Sequence, residues 1–173
     1  MNRILRVLAA ALFVAACAEV LPIAPQPVAA EDNDLVFKLV VRSPASRYAP
    51  GQPITVSSEI VYLGPKARET MYHASSPVGW TIEQLDGPAR MGGGMDLPCL
   101  RTEVAAGAPH NVPFAKGGVP DDVGPFTRAW YQEQALRLPA GRWRIVAQLS
   151  VSLDDCGGEP HALVVPIEVL VAP

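Results

Sequence analysis

Apolar and polar residues alternate along much of this chain with a period of two, the pattern of strands that bury one face. LVFKLVV places Leu35, Phe37, Leu39 and Val41 on one side with Lys38 opposite. ITVSSEIVYL sets Ile54, Val56, Ile60 and Tyr62 against Thr55, Ser57 and Glu59, and YAPGQ between the two stretches predicts a turn. The alternation is clearest near the C-terminus. There GRWRIVAQLSVSL lines up Trp143, Ile145, Ala147, Leu149 and Val151 against Arg142, Arg144, Gln148 and Ser150, and ALVVPIEVLV supplies Leu163, Val165, Ile167 and Val169. DDCGGEPH joins the two as a loop of turn residues. Pro166 has no N–H to give to a ladder, so the last strand is expected at a sheet edge or with a bulge at that point.

The middle of the chain is less regular. VGWTIEQLDG reads as a strand with Trp80 and Ile82 inward, ending at an Asp-Gly turn, and LRTEV as a short strand. TRAWYQEQALRL favours one or two helical turns, with Trp130 facing Gln134 and Pro139 ending the helix. DGPARMGGGMDLPC and PHNVPFAKGGVPDDVGPF read as long loops, which are usually functional or mobile. About seven strands separated by turn signals predict an all-β fold, an immunoglobulin-like antiparallel β-sandwich with one short helix.

The N-terminus follows a different rule. Arg3 and Arg6 precede an apolar run from Val7 to Ala16, the order of an export signal. The run is shorter than the roughly 20 residues a helix needs to span a bilayer. Val14, Ala15, Ala16 and Cys17 resemble the lipobox of bacterial lipoproteins, in which the cysteine is lipidated and becomes the new N-terminus. The competing reading is an ordinary secretory signal cut at Ala16-Cys17-Ala18, or further on at Val28-Ala29-Ala30. The stretch that follows, AEVLPIAPQPVAAEDND, has three prolines and no period, and is expected to be a semi-rigid tether of about 50 Å. The expected organisation is a signal peptide at 1–16, a lipidated cysteine and tether at 17–34, and one domain at 35–173.

Cysteine usage extends this picture. Three cysteines in an exported chain leave one unpaired, so acylation of Cys17 would leave Cys99 and Cys156 to form a disulfide. The formal net charge of −3 provides no electrostatic footprint for nucleic acid. Candidate metal ligands are sparse. Cys156 and His161 have part of the spacing of a copper loop, but no methionine follows them. Met71, His73, Met91, Met95 and His110 are soft ligands without a matching spacing. Packing is the simpler use of the methionines, and His73, His110 and His161 stay as the weakest candidates for a metal. Asp121 with Asp122, and Asp154 with Asp155, lack the alternating oxygen ligands of a calcium loop and read as solvated turn acids. The chain has no Gly-x-Ser-x-Gly elbow and no His-Glu-x-x-His, so neither an enzyme nor a cofactor is expected. Trp130, Met91 and Met95 lie in or beside the long loops and are the candidate contacts for a partner.

YAPGQPITVSSEIVYLG and LRLPAGRWRIVAQL together resemble the extracytoplasmic Ig-like modules of bacteria, including proteinase inhibitors of the BsuPI type. There a Pro-Gly turn precedes a polar-faced strand and a Leu-Pro-x-Gly turn launches the penultimate one. The resemblance implies a fold, and one sandwich hosts many activities. The expected function is a binding or accessory module of the bacterial envelope, held to the cell membrane or outer membrane by lipid and otherwise secreted. Its partner would be an envelope protein or ligand. The alternatives are a metal-handling protein for copper or zinc, and a proteinase inhibitor.

Overall fold

In the computed structural model, which describes residues 26–92, 98–117 and 125–173, the alternating stretches are strands. In chain order these are β1 (Val28–Asn33), β2 (Phe37–Ser43), β3 (Arg47–Tyr48), β4 (Ser57–Tyr62), β5 (Arg68–His73), β6 (Val78–Gln84), β7 (Arg90–Gly92), β8 (Leu100–Ala105) and β9 (Pro109–Pro113), followed by the helix α1 (Pro125–Gln132), β10 (Gly141–Val151) and β11 (His161–Val171). The fold is all-β. One sheet has the order β1-β2-β4-β9, a second the order β3-β11-β10-β6-β7, and β5 pairs with β8 as a separate ribbon. Every pairing is antiparallel except that of β3 with β11.

The core follows from the alternation. Phe37, Leu39, Val41, Ile60 and Tyr62 from the four-stranded sheet join Val78, Ile82, Trp143, Ile145, Ala147, Leu149 and Val165 from the five-stranded one in a single cluster. Burying each large side chain contributes about 1.5–3 kcal/mol. Trp143 is 0% exposed and its indole N–H donates to the Pro139 carbonyl at 2.9 Å, so its polar edge is satisfied as well. The outer face of the same strands is polar. Arg144 bridges Glu83 and Glu168, and Arg142 also reaches Glu168.

The YAPGQ turn takes the form its residues favour. The Gln52 amide donates to the Ala49 carbonyl at 3.1 Å, and Gly51 sits at φ 71° after Pro50, the position of a type II turn that requires a positive φ. Pro166 lies at an edge without a bulge. The β10–β11 register runs unbroken through Val146↔Pro166. The amides of Val164 and Leu170, two residues before and four after, bond away from β10, to Asp32 and Ser46. Pro166 has the same parity, so its missing N–H falls on the outer side and costs no ladder bond.

Several expectations need correction. The tether was expected to run to residue 34, but Val28–Asn33 is strand β1, in register with Ser43–Lys38 of β2. Residues 17–25, Cys17 among them, lie outside the described residues. Leu35 was assigned to the buried face and is 94% exposed, because it sits in the β1–β2 turn rather than in β2. The two long loops contain β7 and β9, and Arg68–His73, where no strand is expected from the sequence, is β5. The helix ends at Gln132 rather than near Pro139. The chain beyond it bends at Gln134 and Ala135, and the Leu136 carbonyl accepts from the Ile54 amide at 2.8 Å.

Trp143→Ala is expected to cost about 3–5 kcal/mol of stability. Urea unfolding followed by far-UV circular dichroism measures it, and a loss below 1 kcal/mol would mean that the core does not close around this ring.

Candidate functional site

Cys99 lies directly before β8, and Cys156 lies in the turn between β10 and β11. That turn is shaped by its own acids. The Gly157 amide donates to Asp155 Oδ1 at 2.8 Å and the Gly158 amide to the Asp155 carbonyl at 3.3 Å. A side chain at Gly158 would place its Cβ 2.4 Å from Ser152 Oγ, so it would force the Ser152 hydroxyl to turn away. The β5–β8 ribbon docks on the end of β10 through two backbone bonds, Tyr72 N–H to the Ser152 carbonyl at 2.8 Å and the reverse at 2.9 Å. A disulfide joins Cys99 to Cys156 beside this contact, with a Cα separation of 5.6 Å. Closing a loop of 57 residues in sequence contributes about 4 kcal/mol in the chain-entropy account.

Between the ribbon and the turn is a cleft of about 440 Å³. Tyr72, Pro98, Pro160, the disulfide and Ser150 to Ser152 line it. Of the expected site residues, the structure brings Cys99, Cys156 and His73 together here. His73 is 7% exposed. Its Nδ1 lies 2.6 Å from the Ala74 carbonyl, which can only accept, and its Nε2 lies 2.9 Å from Thr102 Oγ1. Both ring nitrogens are thereby engaged in structural bonds.

The other histidines are elsewhere. His110 is in β9 opposite Ile60, and His161 opens β11. His161 Nδ1 donates to Asp34 Oδ2 at 2.9 Å, and its ring meets Phe37 edge-on at 5.4 Å. Asp34 also accepts the amides of Val36 and Phe37, both at 2.6 Å, and so ties the β1–β2 turn to the start of β11. Burial pushes the Asp34 carboxyl up, but the two amides and the His161 imidazole more than offset this, and its pKa lies below the ordinary value. Among the described residues no three His, Cys, Asp or Glu side chains are grouped to hold a metal ion.

Trp130 and Met91, the partner contacts expected from the sequence, are not exposed. Trp130 is 7% exposed and Met91 3%, both within the core cluster. Met95, Asp121 and Asp122 lie outside the described residues. Trp130 is covered by Lys116, whose ammonium is 4.2 Å from the ring centroid. The same ammonium donates to the carbonyls of Trp130, Glu133 and Ala135 at 2.5, 2.6 and 3.0 Å. It therefore caps the end of α1 with all three of its protons. Burial, with the Arg137 charge nearby, lowers the pKa of Lys116. Nothing in AKGG signals this role at the sequence level, because the partners arrive fourteen or more residues later.

The arrangement at the disulfide is suited to binding. Two prolines and a covalent staple border the cleft, and the side-chain hydroxyl of Ser150 has no hydrogen bond among the described residues.

Two substitutions test the supporting contacts. Asp34→Ala is expected to cost about 1–2 kcal/mol at neutral pH. Because the folded pKa is the lower one, this contribution is present above the ordinary carboxylate value of about 4 and is lost as pH falls through the folded value. Wild type and variant should converge in urea midpoint below that pH, and a constant gap would remove Asp34 ionisation as the cause. Lys116→Met should cost about 1–3 kcal/mol, since three carbonyls lose their donor while the stem keeps its packing. A thermal melt followed by tryptophan fluorescence reads both the loss and any exposure of Trp130.

Comparison with known protein families, with curated proteins and with solved structures found no match for this chain.

Proposed function

We propose that this protein is a lipid-anchored, extracytoplasmic binding or accessory module of the bacterial envelope, and that the cleft beside the disulfide is its binding surface. The observation that carries this reading is the Cys99–Cys156 disulfide on the surface of the domain. Such bonds persist in oxidising compartments, which fits the export signal and leaves Cys17 as the single cysteine for a lipid.

The direction of the chain adds to it. The Gln26 carbonyl accepts from the Ser46 amide, and the Ser46 carbonyl accepts from Leu170, so the described chain enters the fold at the end where β11 finishes. β1 then runs six residues away from that end, about 20 Å, to the Asp34 turn beside His161. Val151, Ser152 and Pro160, which line the cleft, lie at this far end. An anchor at Cys17 would hold the domain by its near end and turn the cleft outward from the membrane.

An Ig-like sandwich is the fold reading that the strand order supports. Neighbours β2, β4 and β9 in one sheet and β11, β10 and β6 in the other have the order of strands A, B, E and G, F, C. The chain also changes sheets between β2 and β3.

The full chain expressed with a labelled fatty acid is expected to carry label and to sediment with membranes. Cys17→Ser should lose both and appear in the soluble fraction. An unlabelled wild type would end the anchor reading.

A further inference from the structure

We infer that the Cys99–Cys156 disulfide is a thiol-exchange site, opened by its cleft to a dithiol partner, and that it can be reduced by that dithiol, and reoxidised by the partner's disulfide form in the reverse exchange, while the rest of the fold stays intact. The inference goes beyond the proposed module and requires no lipid anchor.

Three observations support it. Both half-cystines are exposed, and neither belongs to the core cluster, so a thiolate can reach the bond without unfolding the sandwich. Disulfides so placed are the labile and regulatory ones. The bond also borders an open cleft of about 440 Å³, room for a partner's side chain to approach a sulfur. Finally, the segments it joins have other supports. The ribbon keeps its six-residue register from Arg68↔Ala105 to His73↔Leu100 and its two backbone bonds between Tyr72 and Ser152. The turn carrying Cys156 lies beyond the last β10–β11 pair, Val151↔His161, and is held by local bonds to Asp155 and Ser152.

The chemistry is a two-electron exchange. A thiolate of the dithiol attacks one sulfur, forms a mixed disulfide and expels the other sulfur as a thiolate. The partner's second thiol, deprotonated, then displaces the protein sulfur. The partner leaves as a disulfide, having given up two electrons, and two protons from solvent return Cys99 and Cys156 to thiols. Reduction frees the turn that forms one wall of the cleft, so the cleft has its full shape only in the oxidised protein.

The test uses the full chain under native conditions with dithiothreitol as the dithiol, quenched by an alkylating agent. Peptides containing Cys99 and Cys156 are read by mass spectrometry, so Cys17 does not enter. A tenfold rise in dithiol should give a tenfold faster alkylation, with the near-UV circular dichroism of the tryptophans unchanged. Faster deuterium exchange should be confined to residues 152–160 and the adjoining end of the ribbon. A rate that is independent of dithiol, set by unfolding, would overturn the inference, as would loss of the near-UV signal in step with alkylation. A Cys99→Ser, Cys156→Ser double variant should reproduce the exchange pattern of the reduced protein. If that variant does not fold, the disulfide is required for the structure and the inference is overturned by that result too.

Discussion

The pairing of β10 with β11, unbroken from Gly141↔Val171 to Val151↔His161, places each inward residue of one strand directly opposite an inward residue of the other. Trp143 meets Val169, Ile145 meets Ile167, Ala147 meets Val165 and Leu149 meets Leu163. A slip by one residue would turn all of these outward at once, so the register is specified by the burial of the whole face. The neighbours then take their positions from this pair. β6 aligns Trp80 and Ile82 with Ala147 and Ile145, and β3 joins β11 at its last two residues. The disulfide turn is simply the loop that closes this hairpin, which is why the cleft has a stable floor.

How much of this was legible depends on where side chains carry the information. The inward residues of β2, β4, β6, β10 and β11 were readable because each strand buries an apolar row, and Phe37, Ile60 and Ile145 are all 0% exposed. β1 was not, since VAAEDN buries none of its residues fully and has no apolar period. It is held by the backbone of β2 and by Asp34 at its turn, and neither leaves a periodic trace. The burial of Trp130 was hidden for a related reason. Its cover comes from Lys116, a residue that reads as solvent-facing in isolation and becomes a cap only when the chain returns over it. The Cys99–Cys156 pair was legible by counting, but that it borders a cleft depends on the docking of β5 against β10, an element the alternation did not announce.

Polar satisfaction inside the domain is uneven, and the pattern is informative. Ser58 Oγ donates to the Val112 carbonyl of the neighbouring strand at 2.9 Å, and Ser43 Oγ to the Ala45 carbonyl two residues on at 2.9 Å, so both buried hydroxyls are satisfied. Among the described residues, the buried indole nitrogens of Trp80 and Trp130 have no partner. Both rings are instead held by their faces and edges, Trp80 against Phe114 at 5.3 Å and Trp130 against Tyr131 at 4.9 Å. An unpaired buried donor costs about 1–3 kcal/mol. At these two indoles packing is therefore gained at some expense in hydrogen bonding.

Pro166 and Asp32 act on the same side of β11. One removes a donor from the outward edge of that strand, and the carboxylate of the other takes up the Val164 amide at 3.4 Å. A long, valine-rich edge strand is the kind of surface on which a second copy can add a strand and begin an aggregate. Here a rigid ring interrupts the row of outward amides, and Asp32 and Ser46 take up two of the others. Copies of this domain crowded together can thus meet along that edge without joining their sheets.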